Sequence, residues 1–261
     1  MTMKLLFVGD VVGSPGRRGL AAAMPELRER LAPDVIVVNG ENSAGGLGIT
    51  EKTAADIFGA GADAITTGNH VYRHRDAYDF LDREERVVRP ANYPHGNPGR
   101  GYTVIEKAGQ RIGIVNLSGM VQMRAARSPF HEADAVLERL ADTADAVIVD
   151  FHAEVTSEKV AMGWHLDGRV AAVFGTHTHV PTADGRVLPG GTAYISDVGM
   201  TGSRAGVIGV KRAQALESLI TLMPVRFETA EDDVWVMGAA VEIDPGGLAT
   251  SIEQVMVPAP G

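Results

Sequence analysis

The sequence predicts an α/β fold, and three observations carry that prediction. Short β-branched runs alternate with amphipathic segments, as in a sheet covered by helices. In the N-terminal half the alternation is regular enough to read as consecutive βαβ units. Polar groups able to bind metal follow the carboxyl ends of the predicted strands, which is where open α/β sheets collect ligands.

The first predicted strand, Lys4–Val8, leads to Asp10 and a glycine-rich loop over Val11–Arg18, with a helix at Gly19–Leu31. Val35–Asn39 is a second apolar strand, followed by Glu41-Asn42 and a helix at Glu51–Gly59. Ala64–Thr67 is a third, followed by Asn69-His70 and a helix at Arg75–Arg83. Arg111–Asn116, Ala146–Phe151 and Val170–Phe174 complete the buried strands, the last two leading to His152 and to His177 and His179. The C-terminal part is richer in strands: Ala193–Ser196, Arg226–Glu228 and Val234–Ile243 suggest antiparallel pairing, with Lys211–Leu222 as an intervening helix.

Composition narrows the possible chemistry. The chain has 261 residues, 45% hydrophobic and 22% charged, enough to bury a sizeable core. No linker-like run divides it and motif residues come from both parts, so one domain over residues 1–261 is expected. The absence of cysteine excludes disulfides and thiolate ligands, so a metal site must use His, carboxylate and amide groups. The first apolar run meets Asp10 too early for a signal peptide, and no later run is long enough for a membrane span; a cytoplasmic protein without membrane association is expected. The net charge of −9 argues against binding long nucleic acid, whereas a small anion remains compatible because bound cations reverse the local field.

Each cluster has a bland and a chemical reading. Asp10 alone reads as a cap or turn aspartate, and its glycine-rich loop lacks both the P-loop ending and a G-x-G-x-x-G. Arg17 and Arg18 are candidates for phosphate contact, though adjacent basic residues at a helix start are usually solvated. Glu41-Asn42 reads as a turn, or as a bridging carboxylate beside an amide oxygen, both suited to hard divalent ions. Asn69-His70 is a capped turn, or one group to hold a metal and another to deliver a proton. A lone His152 is more often structural, but His177 and His179, two apart on a segment expected to be extended, suit neighbouring metals. His74, His95, His131 and His165 lack such a setting.

Together the clusters resemble the calcineurin-like metallophosphoesterase superfamily, whose ordered signature is Asp-x-His, Gly-Asp, Gly-Asn-His-Asp/Glu, an isolated His and Gly-His-x-His. More narrowly, Asn39-Gly-Glu-Asn42, Asp150-Phe-His-Ala-Glu154 and Gly175-Thr-His-Thr-His179 resemble its YmdB branch. So do Gly190-Gly-Thr-Ala-Tyr194 and Asp197-Val-Gly-Met-Thr201. This closer resemblance covers nearly the whole chain. It implies a four-layer sandwich of two mixed β-sheets flanked by helices, with the active site at the strand ends. It further implies that Asp10, Glu41, Asn42 and His179 hold one metal, while Glu41 as bridge, Asn69, His152 and His177 hold the other. Val12, Glu41 and Val71 depart from the superfamily pattern, standing where a ligand His, the bridging Asp and the acid after Asn-His are usual. Asn42 can supply the donor that Val12 cannot, while Val71 leaves open which group orients His70.

The resemblance implies a phosphodiesterase acting on small cyclic nucleotides, 2′,3′-cyclic and also 3′,5′-cyclic, through a metal-activated hydroxide, with His70 as general acid. Two divalent or mixed-valence ions are expected, iron or manganese, with zinc also suited to the mixed donors. Alternatives are a phosphomonoesterase or protein phosphatase on the same core, or a non-catalytic metal-containing nucleotide sensor. A homo-oligomer is compatible with the sequence.

Overall fold

The computed structural model describes residues 2–260. The chain first lays down β1 (Met3–Val8), β2 (Asp10–Val11), α1 (Gly13–Leu31), β3 (Val35–Asn39), α2 (Glu51–Gly59), β4 (Ala64–Thr66), α3 (Tyr78–Arg83) and β5 (Val87–Val88). It then crosses to a second sheet through β6 (Tyr102–Lys107), β7 (Gln110–Ser118), α4 (Pro129–Leu140), β8 (Ala146–His152), α5 (Thr156–Leu166), β9 (Ala172–Thr176), β10 (Arg186–Val187) and β11 (Ala193–Ile195). It returns to the first sheet with β12 (Met200–Ser203), α6 (Arg212–Thr221), β13 (Val234–Ile243) and β14 (Ala249–Pro258).

Both sheets are mixed. The first runs β2-β12-β13-β1-β3-β4-β5, with β14 also on β13; β1, β3, β4 and β5 are parallel, whereas β13 is antiparallel to β1, β12 and β14. The second runs β10-β11-β9-β8-β7-β6, with a parallel centre and antiparallel edge pairings.

The period-two alternation of the strands produces the layers. Leu5, Phe7, Val35 and Val37 meet Ile112, Ile114, Ile148 and Phe174 between the sheets. Leu6, Val8, Ile36 and Val38 face the other way, onto Leu20, Met24 and Leu27 of α1 and Ile57 of α2. Val147, Val149 and Val173 likewise turn outward, onto Val136 and Leu140 of α4 and Met162 and Leu166 of α5. The result is the expected helix, sheet, sheet, helix sandwich. Phe7 and Phe174 stack across the middle with centroids 4.5 Å apart, a contact worth about 0.5–1.5 kcal/mol beyond its burial.

Several expected elements are corrected. The glycine-rich loop is helical from Gly13, so α1 starts six residues before the expected Gly19. Pro15 is tolerated because a first-turn N–H has no intrahelical partner to lose. Gly16 lets the helix approach the Thr201 carbonyl where a Cβ would collide. The strand expected at Val170–Phe174 lies two residues later, as β9. Arg226–Glu228 forms no strand; its ties are Lys211 N–H to the Glu228 carbonyl and Glu228 N–H to the Gln214 side chain, too few for a ladder. Ala193–Ile195 joins the second sheet, antiparallel to β10 as expected but parallel to β9 on its other side. The chain also contains β6, β14, α4 and α5, which are not among the elements expected above, although Phe130, Ala133, Val136, Leu137 and Leu140 give α4 a regular apolar face. Among the described residues no helix is long and apolar enough to cross a membrane.

Candidate metal centre

The two sheets present their carboxyl edges to the same place. From the first come Asp10 on β2, Glu41 and Asn42 after β3, and Asn69 and His70 after β4; from the second come His152 at the end of β8 and His177 and His179 after β9. The structure brings these residues into one cluster. Donor atoms of Glu41, His152 and His177 all lie within 4.8 Å of one another, the spacing of a group that could hold a metal ion. His152 Nε2 lies 3.1 Å from Glu41 Oε1, 2.9 Å from Asn69 Oδ1 and 3.1 Å from His177 Nδ1. His179 Nε2 lies 3.1 Å from Asn42 Nδ2 and 3.8 Å from Asp10 Oδ1. Close approach needs Gly68, where a Cβ would collide with both the Glu41 carboxylate and the His152 ring.

Each imidazole has one nitrogen tied to oxygen and the other turned into the cluster. His177 Nε2 donates to Glu154 Oε2 at 2.9 Å, leaving Nδ1 inward. His179 Nδ1 donates to the Ile208 carbonyl at 2.9 Å, leaving Nε2 inward. Such outer bonds fix the tautomer and aim the free lone pair, as metal-ligating histidines require.

The segment carrying the His pair is not extended as expected. Both His177 and His179 have positive φ, at 95° and 65°, a costly backbone for non-glycine residues. Thr178 between them is clamped: its N–H and hydroxyl donate to Asp197 Oδ2 at 3.1 and 2.6 Å. Lys159 donates to the same oxygen at 2.8 Å, and Gly199 N–H to Oδ1 at 2.8 Å, so the buried carboxylate is fully compensated. Arg17 and Arg18 point elsewhere: Arg17 bonds Asp56 and the Ser43 carbonyl, bracing the loop after Asn42, and Arg18 bonds Ser14.

The electrostatics match a cation site. Asp10 and Glu41 are fully buried, and Asp10 Oδ1 has no hydrogen-bond partner. Burial pushes Asp10 up, against the opposing pull of His179 and His152. Burial would also raise Glu41, but His152 and His70 outweigh it and hold the carboxyl well below its usual range. Conversely, burial disfavours a charged His152, yet Glu41 and Asp10 push it up to about 9, while His177, buried beside that charge, falls to about 3. An orphaned carboxylate oxygen, the Asn69 amide oxygen and inward imidazole nitrogens form a mixed hard and borderline donor set that fits divalent ions such as manganese, iron or zinc, while Asn42 turns its Nδ2 to His179 and its Oδ1 to His70.

Beside the cluster lies a cavity of about 200 Å³. Asn42, His70, His177 and His179 form its polar wall, and Val12, Leu47, Ile208, Val210 and Phe227 its apolar one. Ile208, a β-branched residue at φ 45°, is held there by the bond from His179.

With this geometry in view, the sequence model of the YmdB-like protein family matches residues 6–255. The chain belongs to the YmdB-like family. It is 44% identical over 256 residues to a 2′,3′-cyclic-nucleotide 2′-phosphodiesterase of Bacillus subtilis, covering 98% of this chain and 97% of that protein. A protein of Thermus thermophilus described as hypothetical has the same structure, with TM-score 0.93 and 39% identity over 99% of this chain and all of the other. A structure from Mycoplasma pneumoniae described as a novel phosphatase follows at TM-score 0.92 and 33% identity, covering 99% and 94%.

Several residues that support the site carry no motif signal of their own. Thr176 and Glu154 bond His152 and His177 directly, whereas Asp150 acts on the cluster through Thr176, and Asp197, itself bonded by Lys159, through Thr178. For Asp150 a signal existed: a carboxylate inside the apolar run Ala146–Phe151 must be buried, and a buried charge needs partners.

Proposed function

We propose that this chain is a dinuclear metal-dependent phosphodiesterase of small cyclic nucleotides, 2′,3′-cyclic and also 3′,5′-cyclic, acting as one domain. The observation that carries the proposal is the convergence of carboxylate, amide and imidazole donors from both sheets beside a cavity with an apolar wall. The name of the Bacillus relative supports the substrate class. Asp10, Glu41, Asn42 and His179 would hold one ion, and Glu41, Asn69, His152 and His177 the other, with iron or manganese favoured and zinc compatible. When bound, the pair supplies Lewis-acid stabilisation of the phosphate and acidifies a water for attack.

The remaining chemistry belongs to side chains. His70 lines the cavity and is about one-third exposed, so it can reach a leaving oxygen. Its Nδ1 faces acceptors, Glu41 Oε1 at 3.0 Å and Asn42 Oδ1 at 3.1 Å, and its backbone N–H donates to Glu41 Oε2 at 3.1 Å. Nδ1 therefore carries a proton, and Nε2 is the atom that exchanges one with the leaving group. The apolar wall of Ile208 and Phe227 receives the flat base and excludes water from the phosphate.

The test is elemental analysis of protein purified without added metal, followed by rates on 2′,3′-cyclic AMP, 3′,5′-cyclic AMP and a nucleoside monophosphate. Two ions per chain and preferred cleavage of a cyclic diester are expected. The Mycoplasma structure's description as a phosphatase favours a second reading, a monoesterase on the same core, and faster monophosphate hydrolysis would select it. Tight binding of intact cyclic nucleotide under every metal condition would instead mark a sensor.

A further inference from the structure

Asp150 lies outside the donor cluster, fully buried on β8 between the sheets. Three donors converge on it. Asn39 Nδ2, from β3, reaches Oδ2 at 2.8 Å; Thr66 Oγ1, from β4, reaches the same oxygen at 2.5 Å; Thr176 Oγ1, from β9, reaches Oδ1 at 2.7 Å. Two of these donors belong to the first sheet and one to the second, so a single carboxylate ties the sheets together under the site.

Counting hydrogens shows what the arrangement enforces. Thr176 has one hydroxyl proton and two neighbours, Asp150 Oδ1 at 2.7 Å and His152 Nδ1 at 2.9 Å. A carboxylate only accepts, so the hydroxyl donates to Asp150 and must accept from His152 Nδ1–H. The neutral ring then has its lone pair on Nε2, the nitrogen turned toward Glu41, Asn69 and His177. The same logic orients Asn39: with Nδ2 on Asp150, its Oδ1 accepts the Glu41 backbone N–H at 3.1 Å. One buried carboxylate thus reaches a donor on each sheet through one intermediary.

We propose that Asp150 is a positioning residue that, through Thr176 and Asn39, sets the tautomer of His152 and the seat of Glu41, preparing the site to take up metal. This rests on the metal-centre reading above. Replacing Asp150 by Asn keeps the shape but reverses a bond. To keep Asn39 and Thr66 satisfied, the new amide turns its nitrogen toward Thr176. The hydroxyl then accepts from that amide and donates to His152 Nδ1, which drives the ring proton to Nε2 and into the donor set.

Two measurements test this. In metal-free protein titrated with Zn²⁺ against a chelator, Asp150→Asn and Thr176→Val are expected to weaken binding about 10–100-fold, the usual effect of losing an outer partner of a metal ligand. Thr176→Ser, which keeps the hydroxyl, is expected to stay close to wild type. Nitrogen-15 NMR of the metal-free protein, raised in pH until the His152 ring signals themselves show the neutral form, is expected to find Nδ1 protonated in wild type and Thr176→Ser, and Nε2 protonated in Asp150→Asn. Unchanged Zn²⁺ affinity in a folded Asp150→Asn, equal losses in Thr176→Ser and Thr176→Val, or an Nε2-protonated wild-type ring would each overturn the proposal. If Asp150→Asn fails to fold, the Thr176 pair decides. A wild type that takes up no Zn²⁺ would overturn the metal centre, while the NMR result still judges the relay by itself.

Discussion

The two sheets contribute opposite halves of the site. The first supplies every carboxylate and amide of the donor cluster, Asp10, Glu41, Asn42 and Asn69, whereas the second supplies the imidazoles His152, His177 and His179. The first half carries the buried negative charge and the second the softer nitrogen donors. Neither half is a candidate metal site alone; the group that could hold an ion, Glu41, His152 and His177, draws on both sheets. The halves are also held differently. The acidic loops are braced by turns and by Arg17, while the His pair sits on strained backbone clamped through Thr178 to Asp197 and Lys159.

The largest expected effect comes from Glu41, the residue proposed to be shared by both ions. Glu41→Gln removes the charge that screens two cations from each other, so both should be lost together and turnover should fall on the order of 10⁴-fold, matching chelator-treated wild type. Elemental analysis checks it, and selective loss of one ion would deny the bridge. His179→Ala should cost one ion of the two and leave the other on Glu41, Asn69, His152 and His177; loss of both would merge the proposed sites into one. His70→Ala should cost no ion at all yet slow cyclic-nucleotide hydrolysis about 10²–10⁴-fold. Its defect should shrink on bis-nitrophenyl phosphate, whose leaving group needs no proton; equal losses on both substrates would reject the general-acid role. Phe227→Ala is the mildest, because the ring is already half-exposed at the cavity rim. Losing about 1 kcal/mol of apolar contact should raise KM for a cyclic nucleotide about fivefold with kcat nearly unchanged.

Much of the fold and of the candidate site is legible in the sequence. The strands β1, β3, β4 and β8 are largely apolar runs, β-branched above all in β3 and β8, and their pattern is strong because both faces are buried. Edge strands such as β6 and β14 alternate between core and solvent irregularly, which leaves little signal. Helix α1 was cut short at Gly19 because its first glycines read as a loop, whereas they serve the close packing of α1 on β12. The strand expected at Arg226–Glu228 has the right residue types, but the Val210–Lys211 segment beside it makes only a single bridge, at Thr229, and one backbone bond, at Glu228, which a property of the surroundings decides.

What the sequence determined alone was local: which segments are strands, which polar residues follow their ends, and, by motif, the family resemblance. Periodicity and residue type suffice for this because they act over a few neighbours along the chain. Only the tertiary structure decided how far apart those strand ends lie, that Asp150 reaches Asn39 across 111 positions of sequence, and which nitrogen of each histidine turns inward. Hydrogen bonds and buried charges depend on partners brought from elsewhere in the chain, and no local pattern encodes which partner will arrive.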